Sequence, residues 1–278
     1  MINQQIGPYH IVQLPPARRV MIHMLDLSGQ RRSMYGLLEV DVTMPRRFIA
    51  DHKARTGESL SFTGFVTLCL ARAVEEHKSV QSYLKGSNQL VLFDDVDVGL
   101  MIEREMGETR APTGYVIRRA NHKTYREIHE EIRIVQSTPV PSSGGMPSWF
   151  LQTMLLPWPL SRWVHDLVRV ILHHNPTLGV SLAGMVGITS VGMFGEGHSG
   201  WGMFPVLHVL GLILGSIAWK PAIVKGRVEP REFLNLTVMF DHEVVDGAPA
   251  ARFTRRLVEL IESGYGLNEE STEHENHP

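Results

Sequence analysis

Regular alternation of apolar and polar residues, together with runs of β-branched side chains, predicts the strands of this chain. The segment LLEVDVT alternates, and the later segment LNLTVMF places an apolar residue at every second position, so that one face would be buried. An aspartate turn divides a third segment into one or two strands. The predicted strands cover residues 37–43, 89–103, 115–118, 206–219 and 234–240.

Helical spacing of apolar residues predicts helices elsewhere. Residues 61–77 and residues 248–263 repeat apolar side chains with the helical period. Thr124 and Glu127 form a capping-box pattern, so an amphipathic helix is predicted to begin there. Prolines interrupt the tryptophan-rich segment 148–172, and a helix is expected to begin after them. Strands and helices mix without a strict repeat, which indicates α/β or α+β layers.

Composition is that of an ordinary globular protein. Of its 278 residues, 43% are hydrophobic and 20% charged, and the formal net charge of −2 argues against a nucleic-acid partner. The most apolar stretch, residues 206–219, is shorter than the roughly 20 residues of a membrane-spanning helix. The single cysteine, Cys69, allows no intrachain disulfide and lies in an apolar run that predicts burial. These features, with an N-terminus that has no signal-peptide pattern, predict a cytoplasmic protein.

The segment DHEVVDG, residues 241–247, is the strongest candidate for chemistry. His242 follows a strongly predicted strand, and a histidine there can project from rigid backbone into a cleft and accept a proton near neutral pH. Asp246 and Gly247 could orient the loop around it. Two plainer interpretations stay open here: His242 is a half-buried loop histidine, and Asp246 caps the helix that begins near Ala248.

Other polar motifs carry less weight. The pair His173 and His174 and the tail histidines His274 and His277 show no compact metal-ligand spacing, so we predict no metal site. Asn-Leu-Thr at 235–237 matches a glycosylation sequon but falls within a predicted core strand.

Several segments, in the same order, resemble one known family. LNLTVMFDHEVVDGAPAARFTRRLVELI closely resembles the C-terminal signature of the 2-oxoacid dehydrogenase acyltransferase (E2) catalytic domain. Upstream, four segments resemble parts of the family in the same order. SLSFTGFVTLCLARAVEEH resembles its first buried helix and DVDVGLMIE one of its strands, and two later family segments are similar to YVIRRANHKTYREIHEEI and GITSVGMFG. Together the segments cover roughly residues 15–265. Chloramphenicol acetyltransferase has the same fold and the same His-x-x-x-Asp-Gly motif.

The resemblance implies an α/β fold, the chloramphenicol acetyltransferase-like two-layer sandwich in which helices cover a mixed sheet. Residues 15–266 would form the catalytic domain, after an N-terminal extension at residues 1–14. Residues 137–186 exceed the family's usual length and are expected to be an insert. Residues 267–278 are expected to be a disordered acidic tail. Neither a lipoyl domain nor a subunit-binding domain precedes Arg18, so a freestanding enzyme is expected.

The resemblance also implies a mechanism. His242 would take the proton from the thiol of coenzyme A (CoA) or dihydrolipoamide, and the thiolate would attack the thioester carbonyl without a covalent acyl-enzyme. Thr189, with Ser190 beside it, matches the hydroxyl that donates a hydrogen bond to the oxyanion, although the family more often has serine there. The plainer interpretation of Thr189 is a turn hydroxyl in a glycine-rich loop.

Two further positions concern the surroundings of the histidine. Asp246 matches a structural aspartate that pairs with an arginine near the N-terminus of the domain and holds the histidine loop. Arg18 and Arg19 are the candidate partners, and Arg18 is slightly favoured. Glu243 stands where the family usually has arginine, which changes the charge beside the site and leaves the acceptor open.

The implied assembly is a homotrimer with active sites between subunits. His242 of one chain would face Thr189 of its neighbour, and CoA would enter the channel between them. The polar tail predicts that assembly stops at the trimer. The acceptor is either a lipoyl group on a separate carrier protein or a small molecule. The alternatives are a non-catalytic structural subunit and membrane contact through the insert, which contains Trp149, Trp158 and Trp163.

Overall fold

The structure, a computed structural model, describes residues 10–14, 18, 22–23, 25–26, 31–106, 109–138, 152–153, 156–157, 160–192, 198–205 and 207–267, without the side chains of residues 103–112, 165 and 173. The strands are β1 (Ser33–Asp41), β2 (Tyr83–Lys85), β3 (Gln89–Val91), β4 (Val98–Met106), β5 (Thr109–Ile117), β6 (Val186–Ser190), β7 (Leu210–Val224) and β8 (Arg227–Asp241). The helices are α1 (Thr43–Thr56), α2 (Phe62–Glu76), α3 (Tyr125–Ser137), α4 (Leu160–His174), α5 (Pro176–Ala183) and α6 (Gly247–Ser263).

The main sheet is mixed and has six strands in the order β1-β8-β7-β6-β4-β5. Strand β6 runs parallel to both of its neighbours, β4 and β7, whereas the other pairs are antiparallel. Strands β2 and β3 form a separate small hairpin. The predicted α/β fold with a mixed sheet and covering helices is confirmed.

One face of the sheet packs against helices α1, α2, α3 and α6, and the hydrophobic core lies between these layers. Phe253 of α6 is fully buried and makes an edge-to-face contact with Phe240 of β8, with ring centroids 5.7 Å apart. Cys69 of α2 is buried, as its apolar surroundings predict, and burial raises the pKa of its thiol. Helix α5 and residues 198–204 lie on the opposite face.

Helix starts agree with the sequence signals. Helix α3 begins with the predicted capping box, in which the Thr124 side chain accepts a hydrogen bond from the Glu127 backbone and the Glu127 carboxylate accepts one in return. Ser61 caps α2 by accepting from the Gly64 backbone. Helix α4 begins after the prolines, as expected. Its Trp163 is 80% exposed, whereas Trp149 and Trp158 lie outside the described residues.

The hairpin of β7 and β8 is longer than the predicted strands 206–219 and 234–240, so those bounds were wrong. Lys225 and Gly226 form its turn with φ angles of 49° and 80°, which suits a two-residue hairpin loop. Pro221 and Pro230 face each other within the arm. Prolines weaken a strand prediction, yet they are tolerated here because neither β1 nor β6 pairs with this part of the hairpin.

The remaining expectations about the chain's ends fall largely outside the described residues. Residues 10–14 have no regular secondary structure, and residues 268–278 of the expected acidic tail lie outside the description. In the described part of the chain, no helix is both long and apolar enough to cross a membrane.

Candidate active site

The end of β8 holds His242 on a turn that is fixed by backbone hydrogen bonds. The Asp241 amide donates to the Val209 carbonyl at 2.8 Å, and the His242 amide donates to the Arg32 carbonyl at 2.8 Å. The amides of Val244 and Val245 then donate back to the Asp241 carbonyl. The His242 side chain is 54% exposed. An imidazole on rigid backbone and open to solvent has the access that a general base needs.

Asp246 is the residue that precedes helix α6, but its side chain makes no capping hydrogen bond there. The carboxylate is 87% exposed, and its Oδ1 lies 4.0 Å from Nδ1 of His242. That separation is too long for a direct hydrogen bond, so the contact is electrostatic. A methyl group added at Gly247 would touch nothing within 4 Å, so packing alone does not require glycine at this position.

The Arg18 side chain is exposed, and among the described residues no ion pair joins it to Asp246. The other candidate partner, Arg19, lies outside the described residues, so the pairing of Asp246 with an arginine stays a prediction. A different arginine lies near the turn: Arg31 pairs with Asp241, with Nη1 and Oδ2 2.6 Å apart. This pair was not among the predictions made from the sequence. An acidic residue at the end of a strongly apolar strand was the available signal, because a buried charge needs a partner.

Thr189 and Ser190 lie at the end of β6. Val186 and Ile188 of this strand point into the core between sheet and helices, so Thr189 lies on the opposite face of the sheet. Thr189 is partly exposed and Ser190 is exposed. In register across the sheet, Thr189 is next to Ile213, which is next to Thr237.

Within one chain, His242 and Thr189 are far apart. In the register of the sheet, Val186 of β6 is opposite Leu210 of β7, which is opposite Phe240 of β8. Because β8 runs antiparallel to β7 and β6 runs parallel to it, the residues after Phe240 lead away from Thr189. The end of β8 is therefore about 13 Å from Thr189 along the strands and about 10 Å across them. A single chain does not bring the predicted base and the predicted oxyanion donor together.

His208 occupies a shallow trough on the same face as Thr189. Gly99, Gly187 and Gly211 are neighbours in register across three strands, and the imidazole lies against the first two. Its Nε2 is 2.8 Å from the Ala183 carbonyl at the end of α5. Burial lowers the pKa of His208 to about 4, although the Ala183 bond opposes this. The ring is therefore neutral at pH 7, donates to Ala183, and fastens α5 to the sheet.

A polar layer covers the sheet next to Thr189. The Thr237 hydroxyl donates to the Gly202 carbonyl at 2.8 Å, and Asn235 donates to the Ser199 hydroxyl at 2.9 Å and to the Ser216 carbonyl at 3.0 Å. Asn235 is fully buried, so the sequon is inaccessible in the folded chain. No group of His, Cys, Asp and Glu side chains in the described ranges is arranged to hold a metal ion.

Comparison with known proteins identifies the family of this chain. The family model for 2-oxoacid dehydrogenases acyltransferase (catalytic domain) matches residues 7–138 and 178–267. This chain belongs to that family. The unmatched residues 139–177 fall within the segment 137–186 that the sequence analysis expected to be an insert.

Curated relatives of this E2-family chain are components of 2-oxoacid dehydrogenase complexes. The dihydrolipoyllysine-residue succinyltransferase component of the 2-oxoglutarate dehydrogenase complex of Staphylococcus epidermidis is 24% identical, over 89% of this chain and 51% of the relative. The lipoamide acyltransferase component of the branched-chain alpha-keto acid dehydrogenase complex of Bacillus subtilis is 23% identical, over 82% and 46%. The chain thus spans about half the length of the curated relatives it matches.

Solved structures of E2 catalytic domains share the fold. The dihydrolipoamide acetyltransferase of Azotobacter vinelandii superimposes with a TM-score of 0.68 at 19% identity, covering 94% of this chain and 94% of that chain. The predicted E2-type architecture is therefore confirmed.

Proposed function

We propose that this chain transfers an acyl group between CoA and a second thiol, with His242 as the general base. The observation that carries the proposal is the exposed His242 on its fixed turn at the end of β8, within the DHEVVDG segment of an E2-family chain. No metal takes part in the proposed steps, and CoA is a substrate.

The proton transfers follow from the position of the imidazole. Nδ1 of His242 faces Asp246, so Nε2 is the nitrogen that accepts the thiol proton. The resulting thiolate attacks the thioester carbonyl carbon and forms a tetrahedral oxyanion. Collapse of this intermediate expels the other thiolate, which takes the proton back from the imidazolium. A hydrogen bond from the Thr189 hydroxyl to the oxyanion would contribute about 3 kcal/mol.

The distance between His242 and Thr189 within one chain supports a shared site. We propose a homotrimer in which His242 of one subunit faces Thr189 of the next, with CoA between them. Leu267, the apolar residue at the start of the tail, is 1% exposed in its own chain and so offers no contact to another trimer. We therefore expect light scattering to give a mass three times that of the 31.3 kDa chain.

For the acceptor we propose a dihydrolipoamide-type thiol, because the curated relatives act on lipoyl groups by name. Glu243 changes the charge near the site less than the sequence suggests. Its carboxylate is 3.4 Å from the Arg32 guanidinium, which offsets the negative charge at the surface. A small-molecule acceptor would make free dihydrolipoamide a poor substrate.

Thiol exchange between acyl-CoA and free dihydrolipoamide tests the proposal. We expect His242→Ala to lower kcat at least about 10³-fold without loss of the fold, since general-base catalysis is usually worth 10²–10⁴. Glu243→Gln, at the next residue, is the matched control and should keep most of the activity. Turnover of His242→Ala near that of the control would refute the mechanism. A wild type inactive with every acyl-CoA and acceptor would favour the alternative, a non-catalytic structural subunit.

A further inference from the structure

We infer that Arg31, acting through Asp241, is the positioning residue for the His242 turn. The inference rests on the proposed role of His242 as general base. It assigns to Arg31 and Asp241 a function that the family resemblance gives to Asp246 and either Arg18 or Arg19.

Arg31 is held on several sides. Its Nη1 is 2.6 Å from Oδ2 of Asp241, and its Nε donates to the Leu207 carbonyl at 3.0 Å. The guanidinium also lies over the ring of Tyr83, 5.6 Å from the centroid, and the Tyr83 hydroxyl donates to the Met185 carbonyl. Arg31 therefore ties the approach to β1, the segment before β7 and the end of β8 to one another.

Asp241 connects this anchor to the catalytic turn. One carboxylate oxygen, Oδ2, takes the Arg31 bond, and the other, Oδ1, accepts the Glu243 amide at 3.1 Å. The Asp241 side chain is only 3% exposed. Because the carboxylate bonds the amide of the residue after His242, a displaced carboxylate would move the backbone on both sides of the imidazole.

Burial distinguishes this pair from the other charge pairs near His242. Arg31 and Asp241 have side chains 25% and 3% exposed, whereas Arg32 and Glu243 are 81% and 42% exposed. The Asp246 carboxylate is 87% exposed. Exposed pairs contribute little, but loss of one partner of a buried pair leaves an unpaired charge. Arg32 is adjacent to Arg31 and carries the same charge, so it provides the matched control.

Loss of Arg31 has an electrostatic effect that a purely structural role would not produce. Among the described residues, the acidic groups within four positions of His242 are Asp241, Glu243 and Asp246, and Arg31 and Arg32 pair with the first two. Without the Arg31 cation, the unpaired Asp241 carboxylate stabilises the imidazolium. The acidic limb of the pH–rate profile should then move to higher pH, because a nearby unpaired carboxylate favours the protonated, inactive form of the base.

The experiment compares Arg31→Met with Arg32→Met, Arg31→Lys and the double variant Arg31→Met/Asp241→Asn. For Arg31→Met we expect kcat to fall about 10-fold to 100-fold, with KM for acyl-CoA within about threefold of wild type. The acidic limb should move up by about half a pH unit or more. Arg31→Lys should recover much of kcat. The double variant should return the limb to its wild-type position, because asparagine is neutral yet can still accept the Glu243 amide.

Equal behaviour of Arg31→Met and Arg32→Met would overturn the inference. So would a lower melting temperature of Arg31→Met with an unmoved acidic limb, since that is the signature of a structural role alone. If Arg31→Met does not fold, the Arg31→Met/Asp241→Asn double variant and Arg31→Lys are compared with wild type instead. A double variant with the kcat of wild type would then refute the inference. NMR titration of the His242 imidazole gives the same pKa comparison without activity, so failure of the proposed function can be told apart from failure of this inference.

Discussion

The imidazole of His208 packs so closely against Gly187 that this position does not tolerate a larger side chain. A methyl group added at Gly187 would lie 2.3 Å from Nδ1 of His208 and 2.8 Å from its Cε1. The ring cannot simply swing aside, because its Nε2 is bonded to the Ala183 carbonyl at the end of α5. We therefore predict that Gly187→Ala forces the ring out of the trough and loosens α5 from the sheet.

The expected cost combines overpacking with the lost hydrogen bond. Overpacking of a tight site costs about 1–3 kcal/mol, and a broken hydrogen bond costs about 1 kcal/mol. The better backbone propensity of alanine offsets about 0.5–1 kcal/mol of this. A net loss of about 1–3 kcal/mol corresponds to a fall in Tm of about 2–5 °C for a chain of this size. Activity should fall too, because Gly187 is two residues before Thr189 on β6.

Thermal melts followed by circular dichroism provide the assay. Gly36→Ala is the matched control in β1, since a methyl group there would come no closer than 4.0 Å to the Val238 carbonyl. Its Tm should equal or slightly exceed that of wild type. In a double-mutant cycle, Gly187→Ala should cost less when His208→Ala has already removed the ring. If Gly187→Ala melts like Gly36→Ala, or costs the same without the ring, the reasoning about the trough is refuted.

Two further predictions concern acid stability. Burial lowers the pKa of His208 from 6.5 to about 4, so the unfolded chain binds a proton at this histidine at a higher pH than the folded chain does. As pH falls from 6.5 to 4, this difference should lower the free energy of unfolding by up to about 3 kcal/mol. In urea titrations over the same pH range, His208→Gln should lose less stability than wild type. The hydrogen bond from Arg126 lowers the pKa of Glu58 from 4.5 to about 2, so its stabilisation is present above pH 4.5 and is lost as pH falls towards 2. Because Glu58 is 35% exposed and solvent screens its pair with Arg126, Glu58→Gln should lower the free energy of unfolding by only about 1 kcal/mol at neutral pH. A difference from wild type that does not shrink below pH 4.5 would contradict this prediction.

Local signals predicted local structure well. The capping box at Thr124, the buried period of α2 and the helix after the prolines all depend on neighbouring residues, and the structure contains each of them. The short strand β2 was missed because Tyr83–Lys85 is too brief to show a period. Family resemblance, more than periodicity, provided the fold and the candidate His242.

Contacts between distant residues could not be predicted in the same way. Arg31 and Asp241 are 210 positions apart and meet because β1 pairs with β8 in one register. No sequence pattern singled out His208, because its site is formed by glycines that lie side by side only when three separate strands pair. The separation of His242 from Thr189 likewise follows only from strand order and direction, which no local pattern contains.

Complementation between subunits tests the central claim most directly. Differently tagged His242→Ala and Thr189→Ala chains are co-expressed, and mixed trimers are isolated through both tags. With shared sites, random mixing pairs an intact His242 with an intact Thr189 at about one quarter of the interfaces. Selection through both tags leaves trimers that each have one intact site out of three, so we predict that the isolated mixed trimers recover about a third of wild-type kcat, far above either variant alone. Activity no higher than the average of the separate variants would contradict a site built from His242 of one chain and Thr189 of its neighbour.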